Sequence, residues 1–534
     1  MKNLLLKLLE RKIAINIEDG NLKLDVPKGI DIKDILEEVK ENKQQLITYI
    51  DKVNIKNRQI DFDKEQMLIS VTSLKDQETY DVSHQQEKEY LRYLINGKHA
   101  FNIVFQVKLP IIQDEIMDKV INTLFERHEI LRTTFLVVKG QVQQKIHTHI
   151  PIDFNLEYVN LLDVSNKEER FQNEFKESEN RLFDFEKGPL ISIKVIRYDD
   201  NVQGLLISMH HAISDQETTK KIEEEIQLLY DIFEKGSKQS LSLTEIQSKE
   251  HTFWVNSYLK SDIGLKRIKS YIEKIKKSLS LDKRGINLQE NSYKKKLNKE
   301  LEIALKGKDL KEFPYFFGYV YNLFPIQGAS YQTFINENQI TKLNHMLKLY
   351  NCSFFSLLMT LFAIVFYKKD KNENLRMFIP YSGRVFEEFN DVLGWLSSEM
   401  IICITIDDKL TIKDLINNVS NTILETKNYS LYPHEKIMND LDIDLDVLSP
   451  IFLNLSRINE SFIEIMEPKH MNWGSGHFTF AGTIFQYDNC LKLNVDYNPN
   501  YFTELEIESL TKDYIHLIDL LSNNSALSLS ELIS

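Results

Sequence analysis

Chain breakers are scarce. The 534 residues carry 17 glycines and 11 prolines, against usages of roughly 7% and 5% in ordinary proteins. Flexible tethers, polyproline struts and triple helices are built from these two residues, so none of them dominates here. The folded parts must be joined by short charged segments. At about 100–200 residues per domain, the length corresponds to about three or four domains.

The remaining composition is that of a globular chain, with 42% hydrophobic and 27% charged residues. Acidic residues outnumber basic ones, 79 to 66, for a net charge of −13. That argues against a nucleic-acid partner, which needs a basic footprint. Cys352, Cys403 and Cys490 lie far apart and form neither a metal-ligand pair nor a complete disulfide set, so the expected compartment is a reducing cytoplasm. No apolar run approaches the ~18–20 residues of a membrane span, and no membrane partner is expected. The opening MKNLLLKLLERKIAI holds Lys7, Glu10, Arg11 and Lys12 within its apolar stretch. It lacks a small-residue cleavage site and is not read as a signal peptide.

Periodicity sets residues 1–60 apart. Leu4, Leu5, Leu8 and Leu9 give one helical face. Two strand-like runs, Lys12–Asn16 and Leu22–Val26, flank Asp19-Gly20, a strong hairpin signal. After Pro27-Lys28-Gly29 a helical pattern runs over Ile32–Val53. The module is too small for an enzyme. Residues 54–66 are polar and aperiodic, a linker. From residue 67 helical and strand-like segments alternate without a repeat. Phe101–Leu109, Leu190–Arg197, Gly204–Met209, Leu375–Pro380, Ile401–Ile406 and Leu491–Tyr497 read as strands. Gln113–Glu129 and Leu505–Leu521 read as amphipathic helices, and Phe354–Tyr367 as a buried helix. Residues 260–313, rich in Lys and Glu, read as exposed helix and connector.

One stretch carries chemistry. The β-prone run from Gly204 ends in His210-His211, and Asp215 follows four residues after the second histidine. A strand ending in titratable groups delivers them to a sheet edge, where an imidazole can move a proton near neutral pH. Three readings stay open: an acid–base site, a satisfied structural histidine pair, and a zinc site. The last needs further ligands, and no H-E-x-x-H or cysteine pair supplies them, so no metal is expected.

The string HHAISDQ resembles H-H-x-x-x-D-G, the signature of the condensation domains of nonribosomal peptide synthetases, which share their fold with chloramphenicol acetyltransferase. Neighbouring blocks follow in that family's order. Arg127-His-Glu-Ile-Leu-Arg132-Thr-Thr-Phe135 resembles R-H-E-x-L-R-T-x-F. Phe183-Asp-Phe-Glu-Lys-Gly-Pro-Leu190 resembles F-D-x-x-x-G-P-L. Fainter likenesses lie at His251-Thr-Phe-Trp254, at Gly383-Arg384 with Val392-Leu-Gly394-Trp-Leu, at Tyr432-Pro-His-Glu-Lys436, and at Val495-Asp-Tyr-Asn498 with Tyr501-Phe502. Residues 1–60 resemble a tubulysin-synthetase-type N-terminal docking domain, whose hairpin edge captures a C-terminal peptide of the upstream subunit by strand addition.

The resemblance implies an α/β (α+β) fold. Docking domain 1–60 would precede a V-shaped pseudo-dimer of acetyltransferase-like halves, residues 67–250 and 251–534. It implies acyl transfer from a carrier-bound acyl or peptidyl thioester to an amine, forming an amide. No cofactor is bound, since donor and acceptor carrier proteins present substrates on phosphopantetheine. Catalysis is assigned to the histidine pair, with His211 acting on the proton or holding the amine and His210 supporting the loop. Asp215 points away and ion-pairs with an arginine, Arg132 first and Arg127 second. Gln216 stands where the family has glycine and is a possible tunnel-wall residue; Trp254 and Trp395 are read as packing. No G-G-x-S carrier motif and no adenylation domain are found, so a free-standing condensation subunit is expected. The alternatives are a non-catalytic scaffold that recruits carriers or tailoring enzymes, and an epimerase-like or stand-alone acyltransferase.

Overall fold

The computed structural model describes residues 14–18, 21–25, 39, 73–149, 154–237, 241, 244–281, 328–441, 443, 451–457, 478–487, 490–523 and 529–533. It divides into two compact units, Met1–Ser70 and Val71–Ser534.

In the first unit, β1 (Ala14–Glu18) and β2 (Asn21–Asp25) pair antiparallel, from Ala14 opposite Asp25 to Glu18 opposite Asn21. This register leaves two residues between the strands, the loop length that Asp-Gly favours. β1 lies two residues beyond the run read from the sequence. The leucine face at 4–9 and the linker at 54–66 lie outside the described residues. So does the helical pattern at 32–53, apart from the buried, helical Val39.

The second unit opens with β3 (Tyr80–Asp81), α1 (His84–Asn96), β4 (Asn102–Leu109) and α2 (Asp114–Arg127). The hairpin β5 (Thr133–Val138) and β6 (Gln141–Ile146) follows. Next come β7 (Glu157–Asn160), α3 (Lys167–Glu179), β8 (Ile191–Arg197), β9 (Gln203–His210) and α4 (Gln216–Glu234). Helices α5 (Ser248–Lys260) and α6 (Asp262–Ser280) lead on to β10 (Ala329–Ile335), α7 (Glu337–Tyr350) and α8 (Phe354–Asp370). Then come β11 (Asn374–Tyr381), β12 (Ser398–Thr405), α9 (Ile412–Thr426), α10 (His434–Leu441) and β13 (Ile451–Arg457). The chain closes with β14 (Phe480–Gln486), β15 (Leu491–Tyr497), α11 (Glu504–Asn523) and α12 (Leu529–Ile533).

Two sheets share one plan. The first runs β4-β9-β8-β7, with two antiparallel pairings and then a parallel one. The second begins β10-β15-β14-β13, with the same succession. In each, the first strand pairs with the last strand of a closing hairpin. The helix after that first strand packs on the helix after the last, α2 on α4 and α7 on α11. The sheets differ in their inner hairpins. β5–β6 joins β3 in a separate three-stranded sheet, whereas β11–β12 extends the main sheet to six strands through parallel β11–β13.

β9 is buried along its whole length. Leu205, Ile207 and Met209 face the core of α2 and α4, while Leu206 packs with Phe171 of α3. A strand covered on both faces reads as a continuous apolar run. Burying each such side chain contributes about 1.5–3 kcal/mol, which anchors the strand that ends at the histidines. α8 is buried from Ser356 to Tyr367. Its all-round apolarity reflects a core helix, since among the described residues no single helix is long and apolar enough to cross a membrane.

Candidate active site

β9 ends on His210, whose backbone N–H donates to Leu190 O at 2.9 Å. Its fully buried ring accepts from Ala212 N at Nδ1, at 3.1 Å. With Nδ1 an acceptor, the neutral ring carries its proton on Nε2. Burial holds the His210 pKa well below the free imidazole value. Phe185 meets the ring edge-on at 4.7 Å between centroids. His99 does so at 5.4 Å. Folding also brings a third candidate metal ligand that the sequence did not offer, because Glu89, His99 and His210 place ligand atoms within 4.8 Å of one another. That carboxylate is already engaged, however. Glu89 Oε2 accepts from Arg92 at 3.1 Å and lies 3.2 Å from His99 Nε2. The cations of α1 thus supply the charge balance that a metal ion would bring.

His211 opens a short 3-10 turn, His211–Ile213, and donates its N–H to Phe101 O at 2.8 Å. Its ring lies in a cluster of five groups. Phe101 stacks on one face at 4.9 Å and 18°, Trp395 tilts against the ring at 4.0 Å and 43°, and Phe101 and Trp395 meet each other at 6.1 Å. Arg92 lies 5.4 Å over Phe101, and Lys88 lies 5.5 Å over Trp395. Lys88 and Arg92 reach both of these rings because they sit one turn apart on α1. Burial lowers the His211 pKa, so the imidazole is neutral near pH 7. Trp395 packs directly on His211, whereas Trp254 packs away from it, buried against Tyr258, Phe386 and Phe389.

Asp215 caps α4, accepting from Thr218 N at 2.9 Å. Its arginine is Arg384, which donates Nη1 to Oδ2 at 2.9 Å and Nη2 to Oδ1 at 3.1 Å. Leu396 N and Ser397 N add bonds at 3.1 and 3.0 Å. Burial opposes the Asp215 charge, but Arg384 outweighs it and the carboxyl titrates below its usual range. The expectation of Arg132 is thus corrected. Arg132 donates to the carbonyls of Phe125 and His147, satisfying the end of its own turn. Arg127 pairs with Glu225. Arg384 arrives from 169 residues away because residues 382–397 fold over the start of α4. That loop is tight at Gly383, where φ is +71° and a Cβ would meet Leu396 O at 1.8 Å. Trp395 is carried on the same loop, so the clamp on Asp215 also sets the lid on His211.

Gln216 begins α4, and its Nε2 donates to Ser456 Oγ on β13 at 2.6 Å. A buried charge cluster supports the other side. Lys88 pairs with Glu435 at 2.9 Å, and His434 Nδ1 lies 2.9 Å from Glu399. Burial opposes the charge on His434, yet Glu435 and Glu399 hold its pKa above the free value. The sequence had marked the neighbourhoods of Arg384, Trp395 and Glu435 as motif blocks. Phe101, Lys88, Arg92 and Ser456 carried no signal of their own.

The model of the Condensation domain family matches residues 76–312 and 326–534. Curated relatives include bacitracin synthase 1 of Bacillus licheniformis, 23% identical over 85% of this chain and 8% of its own length. Surfactin synthase subunit 1 of Bacillus subtilis is 22% identical over 87% of this chain and 12% of its own length. The chain thus spans about a tenth of the length of these relatives. Among solved structures, the condensation domain of the enacyloxin polyketide synthase aligns with a TM-score of 0.64 at 14% identity, covering 98% of this chain and 97% of that one. The starter condensation domain of rhizomide synthetase gives 0.64 at 13%, covering 85% and 96%. The X-domain of teicoplanin biosynthesis gives 0.63 at 13%, covering 86% and 99%. These likenesses share the mixed α/β fold described above. With a family model matching residues 76–312, which include the His210–Asp215 corner, and 326–534, the chain belongs to the condensation domains of the nonribosomal peptide synthetases.

Proposed function

We propose that the chain joins a carrier-bound acyl or peptidyl thioester to an amine, making an amide. The amine nitrogen attacks the thioester carbonyl, the C–N bond forms and the C–S bond breaks. The sulfur of the carrier's phosphopantetheine leaves with the electron pair, and the amine proton passes to it. His211 receives that proton or holds the amine through an edge nitrogen, a role worth roughly 10²–10⁴-fold. His210 supports the loop, Asp215 with Arg384 fixes it, and Gln216 lines the substrate path. The observation that carries this reading is a neutral, buried His211 packed against Phe101 and Trp395 beside the loop that clamps Asp215. The test mixes the chain with loaded donor and acceptor carriers and follows product by mass spectrometry. Product from the native chain and none from His211→Ala supports it.

A non-catalytic recruiting role is the second reading. It is favoured by Gln216 in the signature and by a fold neighbour, the X-domain, whose structure was solved in complex with OxyB. Product loss in His211→Ala rules it out.

Residues 1–60 are read as a docking domain for the C-terminal peptide of an upstream synthetase. The β1–β2 hairpin suits that role, since strand edges offer main-chain hydrogen bonds. Deleting 1–60 should weaken peptide binding in calorimetry and spare turnover at high carrier concentration. Residues 67–250 and 251–534 are read as two acetyltransferase-like halves joined through α5, a division supported by the shared strand order of the two sheets.

A further inference from the structure

Two adjacent residues at the start of α4 reach across to later parts of the chain, and they do so differently. Asp215 is 2% exposed and forms a bidentate ion pair with further backbone donors. Breaking it strands a buried charge. Gln216 is exposed, and its amide meets Ser456 Oγ at 2.6 Å, across 240 residues of sequence. A neutral amide at such a position exchanges a hydroxyl partner for water at little cost. The first contact is therefore permanent and the second can open.

The position matters as much as the strength. Gln216 follows His211 by one 3-10 turn and a cap residue, so its side chain leaves the chain close to the imidazole in sequence and crosses from the first turn of α4 to β13. Ser456 is the penultimate residue of β13 and is 8% exposed, a fixed post on a sheet. A glycine at 216 would leave the same backbone with nothing crossing the gap.

We propose that Gln216 is a specificity-determining residue. Bonded to Ser456, it bars the gap between the first turn of α4 and the end of β13, so that only short, unbranched acyl groups reach His211. This rests on the acyl-transfer reading above. It concerns the donor's acyl chain, and it does not require the Asp215 clamp to move.

The test compares the native chain, Gln216→Gly and Ser456→Ala with acetyl, butyryl and octanoyl thioesters on one carrier protein. The native kcat/KM should fall from butyryl to octanoyl by roughly tenfold or more, the scale on which a pocket rejects added methylenes. Gln216→Gly should flatten that fall, and Ser456→Ala, which keeps the amide but removes its post, should flatten it in part. An unchanged chain-length profile in both variants overturns the proposal. A second readout needs no turnover: carbethoxylation of His211 by diethyl pyrocarbonate, located by peptide mass mapping. It should run severalfold faster in Gln216→Gly. If no protein makes product, an increased modification rate retains the gate and the acyl-transfer reading fails alone. An unchanged rate in that case overturns the gate as well.

Discussion

The two sheets turn the same corner with different residues. Met209 of β9 lies opposite Ile191, and Tyr497 of β15 lies opposite Phe480. One residue on, His210 N bonds Leu190 O and Asn498 N bonds Thr479 O. His211 then corresponds to Pro499. Five residues after His210, Asp215 caps α4; five after Asn498, Thr503 caps α11 by accepting from Glu506 N. Both corners reach a helix cap in five residues, although the first closes its turn from Ser214 N to His211 O and the second from Tyr501 N to Asn498 O, one residue earlier. The first corner holds two buried imidazoles and a carboxylate clamped by a distant arginine. The second holds asparagine, proline and a partly exposed capping box. The corner belongs to the fold; the chemistry depends on what arrives from elsewhere to surround it.

The comparison breaks most sharply at His211. His211→Ala should cut product formation by roughly 10²–10⁴-fold, with the secondary structure unchanged by circular dichroism. Asn498→Ala should leave the rate within a few-fold, since its corner holds no proton-transfer group. Adding Pro499→His to His211→Ala should restore nothing, because no Phe101–Trp395 pair awaits the new ring.

The clamp comes next. Asp215→Ala leaves Arg384 buried without its partner and should lower the free energy of unfolding by about 3–5 kcal/mol in urea titration. Thr503→Ala, the matching cap, should cost only about 1 kcal/mol.

Acidity sharpens the contrast. Burial depresses the His211 pKa, so the ring is neutral when folded and binds a proton more readily when unfolded. The stability it costs grows as the pH falls below about 6.5, the free imidazole value, and disappears above it. The acid limb of the rate profile should lie below 6.5. Phe101→Ala, by letting water onto one face, should move that limb up towards the free value.

Much of this was legible before folding. Asp19-Gly20 marked the hairpin because few dipeptides suit a two-residue turn. Phe354–Tyr367 marked a core helix because no face was polar. The histidine pair was visible because it is contiguous and ends an apolar run. Its surroundings were not. Arg384 is 169 residues from Asp215, and nothing local separates it from Arg132. Only the structure shows Arg132 spent on carbonyls. Trp395 read as packing, but nothing in its sequence neighbourhood said that its partner would be His211. Ser456 is an ordinary strand serine until Gln216 reaches it.

The cluster that holds His211 has a consequence for anything designed to block the site. Phe101 lies nearly parallel on the imidazole, Trp395 tilts against it, and those rings are backed by Arg92 and Lys88. With His211 only 5% exposed, a flat aromatic inhibitor built to stack where Phe101 lies would have to displace that phenylalanine. Selectivity for this chain would then be sought away from the ring, at the Gln216–Ser456 contact that spans α4 and β13.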